Sequence, residues 1–214
     1  EIRNPLASLK SASEIISETN DKEKQDKLLK IMTHDVSRID RLINDYSQML
    51  KDELAISSEQ MEDLDLKPII ESVVDDFNNI YIEKKNINII LNTSGSKDYV
   101  IKGISNRLEQ IIANLLDNAV SFSKNGSIVR VDLGEEENYT TLKVSDEGKG
   151  FRESDIKKVF DRFYSNRPEN FGEHSGLGLN IVKNLVEIHK GEIYASNSPK
   201  GGAMIEVKFP KNYN

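Results

Sequence analysis

Two asparagines four residues apart interrupt an otherwise apolar stretch. Asn114 and Asn118 lie within residues Asn106 to Ser123, where leucine, isoleucine and alanine recur at helical spacing. A separation of four puts both carboxamides on one face of a helix. An unsatisfied buried carboxamide costs ~1–3 kcal/mol, so something polar must face the pair. Their side-chain carbonyls are hard oxygen ligands that suit Mg²⁺, which also takes phosphate oxygens and water. Amides satisfied by neighbouring backbone are the structural alternative.

A glycine-containing turn follows a predicted strand. Tyr139 to Ser145 alternates apolar and polar residues and leads into Asp146, with Gly148 and Gly150 behind it. A carboxylate anchored at the end of a strand can accept hydrogen bonds from an exocyclic amine. Glycines let the backbone approach a ligand closely. An ordinary turn is the alternative at this position.

A second pair of glycines opens a predicted helix. After Ser175, Gly176 and Gly178 alternate with Leu177 and Leu179, and helical spacing continues beyond them. Free backbone N–H groups at the start of a helix form an anion site. No hydrophobic strand precedes the segment, so it is neither a dinucleotide-binding nor a Walker-type loop. A simple helix cap does not explain the two glycines.

An aromatic cluster lies between these two glycine-containing segments. Residues 159–164, Val-Phe-Asp-Arg-Phe-Tyr, place three rings beside the polar run Ser165 to Ser175. The pattern predicts that the polar run forms a flap and that the aromatic rings pack at its base. A small hydrophobic core is compatible with the same residues.

The composition limits the classes of function. The 214 residues include 29 Lys and Arg against 36 Asp and Glu, a net charge of −7, whereas nucleic-acid binding needs clustered excess Lys and Arg. The absence of cysteine excludes disulfides, thiolate metal sites and a Cys nucleophile. The three histidines are too scattered for a zinc site. No apolar run approaches the ~18 residues that a membrane-spanning helix requires.

Heptad spacing dominates the first 54 residues, which we interpret as a helical hairpin. Apolar side chains alternate at intervals of three and four over three heptads: Leu29, Met32, Val36, Ile39, Ile43, Tyr46 and Leu50. Asn20 and Glu23 resemble a capping box that starts the second helix near Asp21. Because two helices cannot bury such a stripe alone, we expect a homodimer with a four-helix bundle. Packing of the hairpin on its own chain is the alternative.

The heptad pattern ends before residues 55–65, which we predict to be a linker, and residues 66–214 form a second domain. Pro68 suits the first position of a helix, and another helix is expected over Leu177 to His189. Strands are predicted at Ile87 to Leu91, Val100 to Lys102, Ser127 to Gly134, Tyr139 to Ser145, Glu192 to Ala195 and Ala203 to Phe209. Helices and mostly antiparallel strands in this order predict an α+β fold, with the hairpin followed by a two-layer α/β sandwich.

The order of these segments after a helical hairpin resembles the bacterial sensor histidine kinases, whose ATP-binding fold is shared by gyrase, Hsp90 and MutL. Asn114–Asn118 is similar to the N box, Asp146–Gly150 to the G1 box, Phe160–Tyr164 to the F box and Gly176–Leu179 to the G2 box. The resemblance covers essentially the whole chain. Within the family, the chain looks most like the membrane kinases that sense acid or envelope conditions.

The resemblance implies a site for ATP and Mg²⁺ beneath a mobile lid at approximately Phe151 to Ser175. Asn118 would hold Mg²⁺ with Asn114 nearby, Asp146 would bind the adenine amine, and Phe122 would pack on the adenine. The other binding residues that it implies are Gly148, Gly150, Val159, Arg162, Tyr164, Arg167, Ser175, Gly176, Leu177, Gly178 and Leu179.

Departures from the family pattern leave other functions open. Ser121 stands where a Lys is usual, and Ser165 where a basic residue is common; Arg162 or Arg167 is expected to supply the missing charge. A dimeric scaffold with a degenerate nucleotide pocket is therefore an alternative. A gyrase- or Hsp90-type ATPase is disfavoured, because it would need a Glu where Asn114 stands.

The first residues are similar to the H box of the family. The resemblance implies a phospho-accepting His just before Glu1, with Glu1 helping to deprotonate it and Asn4 positioning water for dephosphorylation of the partner. That partner would be the receiver domain of a response regulator. We expect the chain to be the cytoplasmic core of an inner-membrane sensor, attached to the membrane only through segments upstream of Glu1.

Two histidines, His34 and His189, lie on predicted helices away from the H box. His34 precedes Asp35 within the second helix but lacks the following Asn-Pro pair, so we expect a structural or surface role. His189 is expected at the end of a helix, where a cation is favourable.

Overall fold

A helical hairpin forms the first of two compact units. The computed structural model describes residues 3–55, 60–95, 98–162, 164, 176–199 and 201–211. Helix α1 spans Arg3–Glu18 and helix α2 spans Lys22–Ala55. Asp21 caps α2, because its Oδ1 accepts hydrogen bonds from the backbone N–H groups of Glu23 and Lys24 at 3.0 and 3.3 Å. The capping box predicted from Asn20 is wrong, since the helix begins one residue too late for that pairing.

At several described positions, the heptad stripe of α2 leaves apolar surface exposed. Leu29, Val36, Ile43 and Tyr46 each expose about half of their surface. His34 is exposed, as expected of a surface role. No helix in the described ranges is both long and apolar enough to cross a bilayer.

The second unit contains the remaining helices and strands. They are β1 (Glu62–Asp65), α3 (Leu66–Lys85), β2 (Asn88–Thr93), β3 (Val100–Gly103), α4 (Ser105–Phe122), β4 (Ile128–Glu135), β5 (Tyr139–Ser145), a 3₁₀ helix (Glu153–Lys158), α5 (Gly178–Ile188), β6 (Glu192–Asn197) and β7 (Ala203–Pro210). Every helix and strand that we predicted within this unit is present, with its ends shifted by at most a few residues.

A short strand occupies the end of the predicted linker. Residues of β1 pair antiparallel with β3, and Asp65 joins that pair to α3. Its Oδ1 accepts from the backbone N–H of Lys67 at 3.0 Å and from that of Tyr99 at 3.1 Å. Helix α3 therefore begins at Leu66, and Pro68 occupies its third position rather than its first.

The main sheet has five strands in the order β2-β4-β5-β7-β6. Strands β2 and β4 are parallel, and the other neighbours are antiparallel. Buried and half-buried residues alternate along β4 and β7, so one face of the sheet carries the core. Helix α4 contacts α3, α5, β4 and β5. The predicted α+β fold, a helical hairpin and a two-layer sandwich, is confirmed.

One edge of this sheet is bonded to a side chain. Asn78 of α3 accepts a hydrogen bond at Oδ1 from the backbone N–H of Ile89 at 2.8 Å. Its Nδ2 donates to the carbonyl oxygen of the same residue at 3.0 Å. The carboxamide therefore pairs with β2 on the side opposite to β4.

His189 lies at the end of α5, as predicted, but it is not an exposed cation. The ring is completely buried, with its centroid 6.0 Å from that of Phe209 in an edge-to-face arrangement. A Cβ at Gly103 would lie 3.2 Å from its Cδ2. Burial lowers the pKa of the imidazole, so the neutral form is favoured and the expectation of a cation at this helix end is wrong.

Candidate functional site

The asparagine pair of α4 faces the start of α5. Asn114 and Asn118 are both half-buried, one helical turn apart on a helix whose other side is in the core. Oδ1 of Asn114 lies 3.7 Å from the position that a Cβ would take on Gly178. The missing side chain of Gly178 thus leaves room beside a carboxamide oxygen. The carboxamide oxygens are neutral ligands, and the space beside Gly178 is open. This combination fits a Mg²⁺ ion, which binds one or two protein oxygens and completes its coordination with phosphates and water.

The start of α5 presents backbone N–H groups without a capping side chain. Gly176 has a φ of +72°, a conformation that costs other residues energy. Leu177, the N-cap residue, is completely buried and makes no side-chain cap bond. A buried leucine between two glycines therefore holds the turn in place while the first N–H groups of the helix stay available for an anion.

Asp146 is fixed by two backbone donors at the end of β5. Its Oδ1 accepts from the N–H of Gly148 at 2.7 Å and from that of Ala203 at 3.1 Å. Burial raises the pKa of the carboxyl group, and the two N–H bonds act in the opposite direction. The side chain is 5% exposed, so its orientation is set by the protein and not by solvent.

The turn after Asp146 packs against the end of α4. A Cβ at Gly148 would lie 2.6 Å from the carbonyl oxygen of Phe122, so only glycine fits there. The asparagine helix and the Asp146 turn are therefore in direct backbone contact.

Asn197 holds the other end of this turn, and our sequence analysis missed it. Its Oδ1 accepts from the N–H of Phe151 at 2.7 Å, and its Nδ2 donates to the carbonyl of Phe151 at 2.9 Å. A Cβ at Gly150, whose φ is +73°, would lie 2.7 Å from that Oδ1. Gly150 thus allows the carboxamide to reach the backbone of the following residue.

The aromatic segment meets α5 through a second asparagine that the sequence analysis missed. Val159 is buried, and Phe160 packs at the border of the core. Nδ2 of Asn180 donates to the carbonyl oxygen of Phe160 at 2.9 Å. Tyr164 is half-buried and Arg162 is exposed.

Several predicted residues fall outside the described part of the chain. These are Glu1, Arg167 and Ser175, together with the predicted lid residues 163 and 165–175. Asn4 is exposed in the first turn of α1, next to the buried Pro5. Among the described residues, the structure brings together the Asn114, Asp146, Phe160 and Gly178 segments within the second unit.

Two family profiles match the chain. Residues 103–213 match the family described as Histidine kinase-, DNA gyrase B-, and HSP90-like ATPase. Residues 1–55 match the His Kinase A (phospho-acceptor) domain. Sensor protein ChvG of Agrobacterium fabrum is 36% identical over 204 residues, which cover 92% of this chain and 34% of ChvG. The chain thus spans about a third of the length of that relative.

Two solved structures share the fold over 99% of this chain. One is histidine kinase ThkA in complex with response regulator protein TrrA, with a TM-score of 0.69, 22% identity and 59% of that chain covered. The other is full-length ShkA in complex with AMPPNP, with a TM-score of 0.68, 20% identity and 44% of that chain covered. The profiles, the identity to ChvG and the arrangement of the four segments agree. The chain belongs to the bacterial sensor histidine kinases and comprises their catalytic core, a phospho-acceptor-type hairpin followed by an ATPase-type domain.

Proposed function

We propose that the second unit binds ATP with Mg²⁺ and that this core transfers the γ-phosphoryl group to a histidine. The observation that carries the proposal is the approach of the Asn114 carboxamide oxygen to Gly178, 3.7 Å from a Cβ position. It puts a metal-type ligand next to the free N–H groups of a helix start. ShkA, which shares the fold, was solved with the nucleotide analogue AMPPNP, which supports the same ligand class here.

Asn118 would hold the metal ion, with Asn114 nearby. Mg²⁺, when bound, would supply positive charge that offsets the charge of the phosphates. The two carboxamides would hold the ion, and the backbone N–H groups of Gly176 and Gly178 would bind the phosphates. Arg162 or Arg167 would supply the basic charge that is missing at Ser165.

Asp146 would accept a hydrogen bond from the adenine amine. Because it is buried and bonded to two backbone N–H groups, the carboxyl group of Asp146 has one fixed orientation. A carboxylate fixed in this way can accept a hydrogen bond from an amine that lies in one defined position. Phe122, one turn beyond Asn118, would pack on the adenine ring. The walls of the pocket would come from Gly148, Gly150, Val159, Tyr164, Ser175, Leu177 and Leu179.

The hairpin would serve as the phosphoacceptor and docking part. Its exposed heptad stripe supports a homodimer with a four-helix bundle. Glu1 would help to deprotonate a histidine immediately upstream, and Asn4 would position water for dephosphorylation of the partner. ThkA, which shares the fold, was solved with a response regulator protein, which supports a receiver-domain Asp as the next acceptor. The core would lie in the cytoplasm, below a membrane sensor.

Calorimetric titration with ATP tests the nucleotide site. We expect Asn118→Ala to abolish the Mg²⁺-dependent part of the affinity and to leave metal-free binding in EDTA almost unchanged. Asn106→Ala, an exposed substitution on the same helix, is the matched control. An Asn118→Ala variant with full affinity for Mg–ATP would refute the metal assignment.

A dimeric scaffold with a degenerate pocket is the second candidate function. The observation that favours it is Ser121, whose hydroxyl donates to the carbonyl of Asp117 at 2.6 Å at the position of the usual Lys. Transfer of radiolabel from ATP to a longer chain with a histidine before Glu1 separates the two functions. Binding of ATP without transfer would favour the scaffold.

A further inference from the structure

Asn180 is a buried polar residue in an apolar helical turn. It lies in the first turn of α5 with 8% of its surface exposed, between Leu179 and Ile181 in the sequence. Its Nδ2 donates to the carbonyl oxygen of Phe160 at 2.9 Å. Its Oδ1 is buried and has no hydrogen-bond partner among the residues that the structure describes.

This arrangement is costly for folding. A buried acceptor without a partner loses its hydration and gains nothing in return. A leucine of similar size would remove that loss and extend the apolar surface around it. A residue that weakens the fold in this way is expected where function needs it.

The bond to Phe160 connects two parts of the site. In the turn after the 3₁₀ helix, the N–H of Asp161 bonds to Lys158 and the N–H of Tyr164 bonds to Asp161. The carbonyl of Phe160 points instead to α5. Two residues before Asn180, Gly178 lies beside the Asn114 carboxamide. The carboxamide of Asn180 thus bonds the backbone at Phe160 to the first turn of α5.

We propose that Asn180 is a positioning residue of the nucleotide site, which fixes the backbone at Phe160 against the first turn of α5. The inference rests on the proposed function. Loss of the amide lets the turn at residues 158–162 move relative to the N–H groups that take the phosphates. Nucleotide affinity therefore falls although the fold is no weaker.

The substitution Asn180→Leu tests this, because it removes both the donor and the unpaired acceptor. We expect the dissociation constant for ATP to rise about tenfold, as loss of one positioned hydrogen bond implies, with an unchanged or higher melting temperature. In a longer chain that carries the acceptor histidine, the KM for ATP rises and kcat stays the same. Asn184→Leu, a half-buried position one turn further along the same helix, is the control and leaves the affinity unchanged.

Amide hydrogen exchange of the ligand-free chain provides an independent readout. Asn180→Leu should speed exchange at the N–H groups of Asp161 and Tyr164, and Asn184→Leu should not. Unchanged ATP affinity, or a lower melting temperature with unchanged affinity, overturns the inference. If the unaltered chain binds no ATP, the proposed function fails, and unchanged exchange at Asp161 and Tyr164 then overturns the role of Asn180 separately.

Discussion

Nε2 of His189 accepts a hydrogen bond from the backbone N–H of Ile104 at 3.1 Å. Nδ1 of the same ring lies 2.7 Å from the carbonyl oxygen of Leu185, so the proton is on Nδ1 and the ring is neutral. Ile104 is the N-cap residue of α4 and makes no side-chain cap bond of its own. The end of α5 therefore caps the start of α4, and one imidazole joins the helices that carry Asn114 and Gly178.

Acid should weaken the fold through His189. Burial lowers the pKa of the folded imidazole below its ordinary 6.5, so on acidification the unfolded chain takes up the proton first. The contribution of the neutral His189 imidazole to the free energy of unfolding is complete above pH 6.5. It is lost as the pH falls from there towards the pKa of the folded state. We expect the melting temperature of the unaltered chain to fall more between pH 7.5 and pH 5.5 than that of His189→Gln. The Gln carbonyl can still accept from Ile104 but does not titrate.

The exposed His34 provides the control for this measurement. His34→Gln should keep the full pH dependence of the unaltered chain. If the melting temperature changed equally with pH in all three proteins, His189 would not be the source of the pH dependence.

Two adjacent glycines should respond differently to the same substitution. Gly201 and Gly202 have φ angles of +90° and +86°, and a Cβ at Gly202 would lie 1.9 Å from the carbonyl oxygen of Asp146, whereas nothing lies within 4 Å of one at Gly201. Gly201→Ala should cost ~1–2 kcal/mol of unfolding free energy, from backbone strain alone. Gly202→Ala should cost at least ~2 kcal/mol more, because Asp146 must move.

Urea denaturation measures this difference, and the Gly201 variant serves as the matched control. Gly202→Ala should also lose ATP affinity, since it displaces the buried carboxyl group. Equal stability of the two variants would contradict the close approach.

A charge on the heptad stripe should dissociate the proposed homodimer. Ile43→Glu puts a carboxylate among apolar side chains that a second copy would cover, where desolvation opposes association. We expect a monomer mass by light scattering at concentrations where the unaltered chain is a dimer. Ser37→Glu adds the same charge at an exposed position outside the stripe and should leave the dimer intact. A monomeric unaltered chain would count against the bundle.

Local patterns predicted the elements well, and tertiary contacts explain what they missed. The apolar period of α4 and the alternation of β4 and β5 depend on neighbours within a few residues, so those elements are visible in the sequence. Asn197 bonds to Phe151, 46 residues away, and His189 to Ile104, 85 residues away. No spacing rule links such pairs. The same limit applies to β1, whose three acidic residues and one leucine carry no strand pattern and pair with β3 only in the folded chain.

The asparagine pair was identifiable for a different reason. Asn114 and Asn118 are close in sequence, and their polarity contrasts with the apolar face around them. Asn180 offers the same contrast, but it directly follows the glycine–leucine pattern, and we assigned that pattern to backbone N–H groups alone. The helix predicted over Leu177 to His189 is present and buries Val182 and Leu185, whereas the partner of the Asn180 amide is supplied only by the folded chain.

Strand β2 ends the five-stranded sheet, and an unpaired edge strand is a template for joining other chains. At Ile89, both backbone groups that point outward are already bonded to the carboxamide of Asn78. An incoming strand would have to displace that side chain before it could extend the ladder. At this edge, one asparagine side chain thus protects the sheet against extension by a strand of another chain.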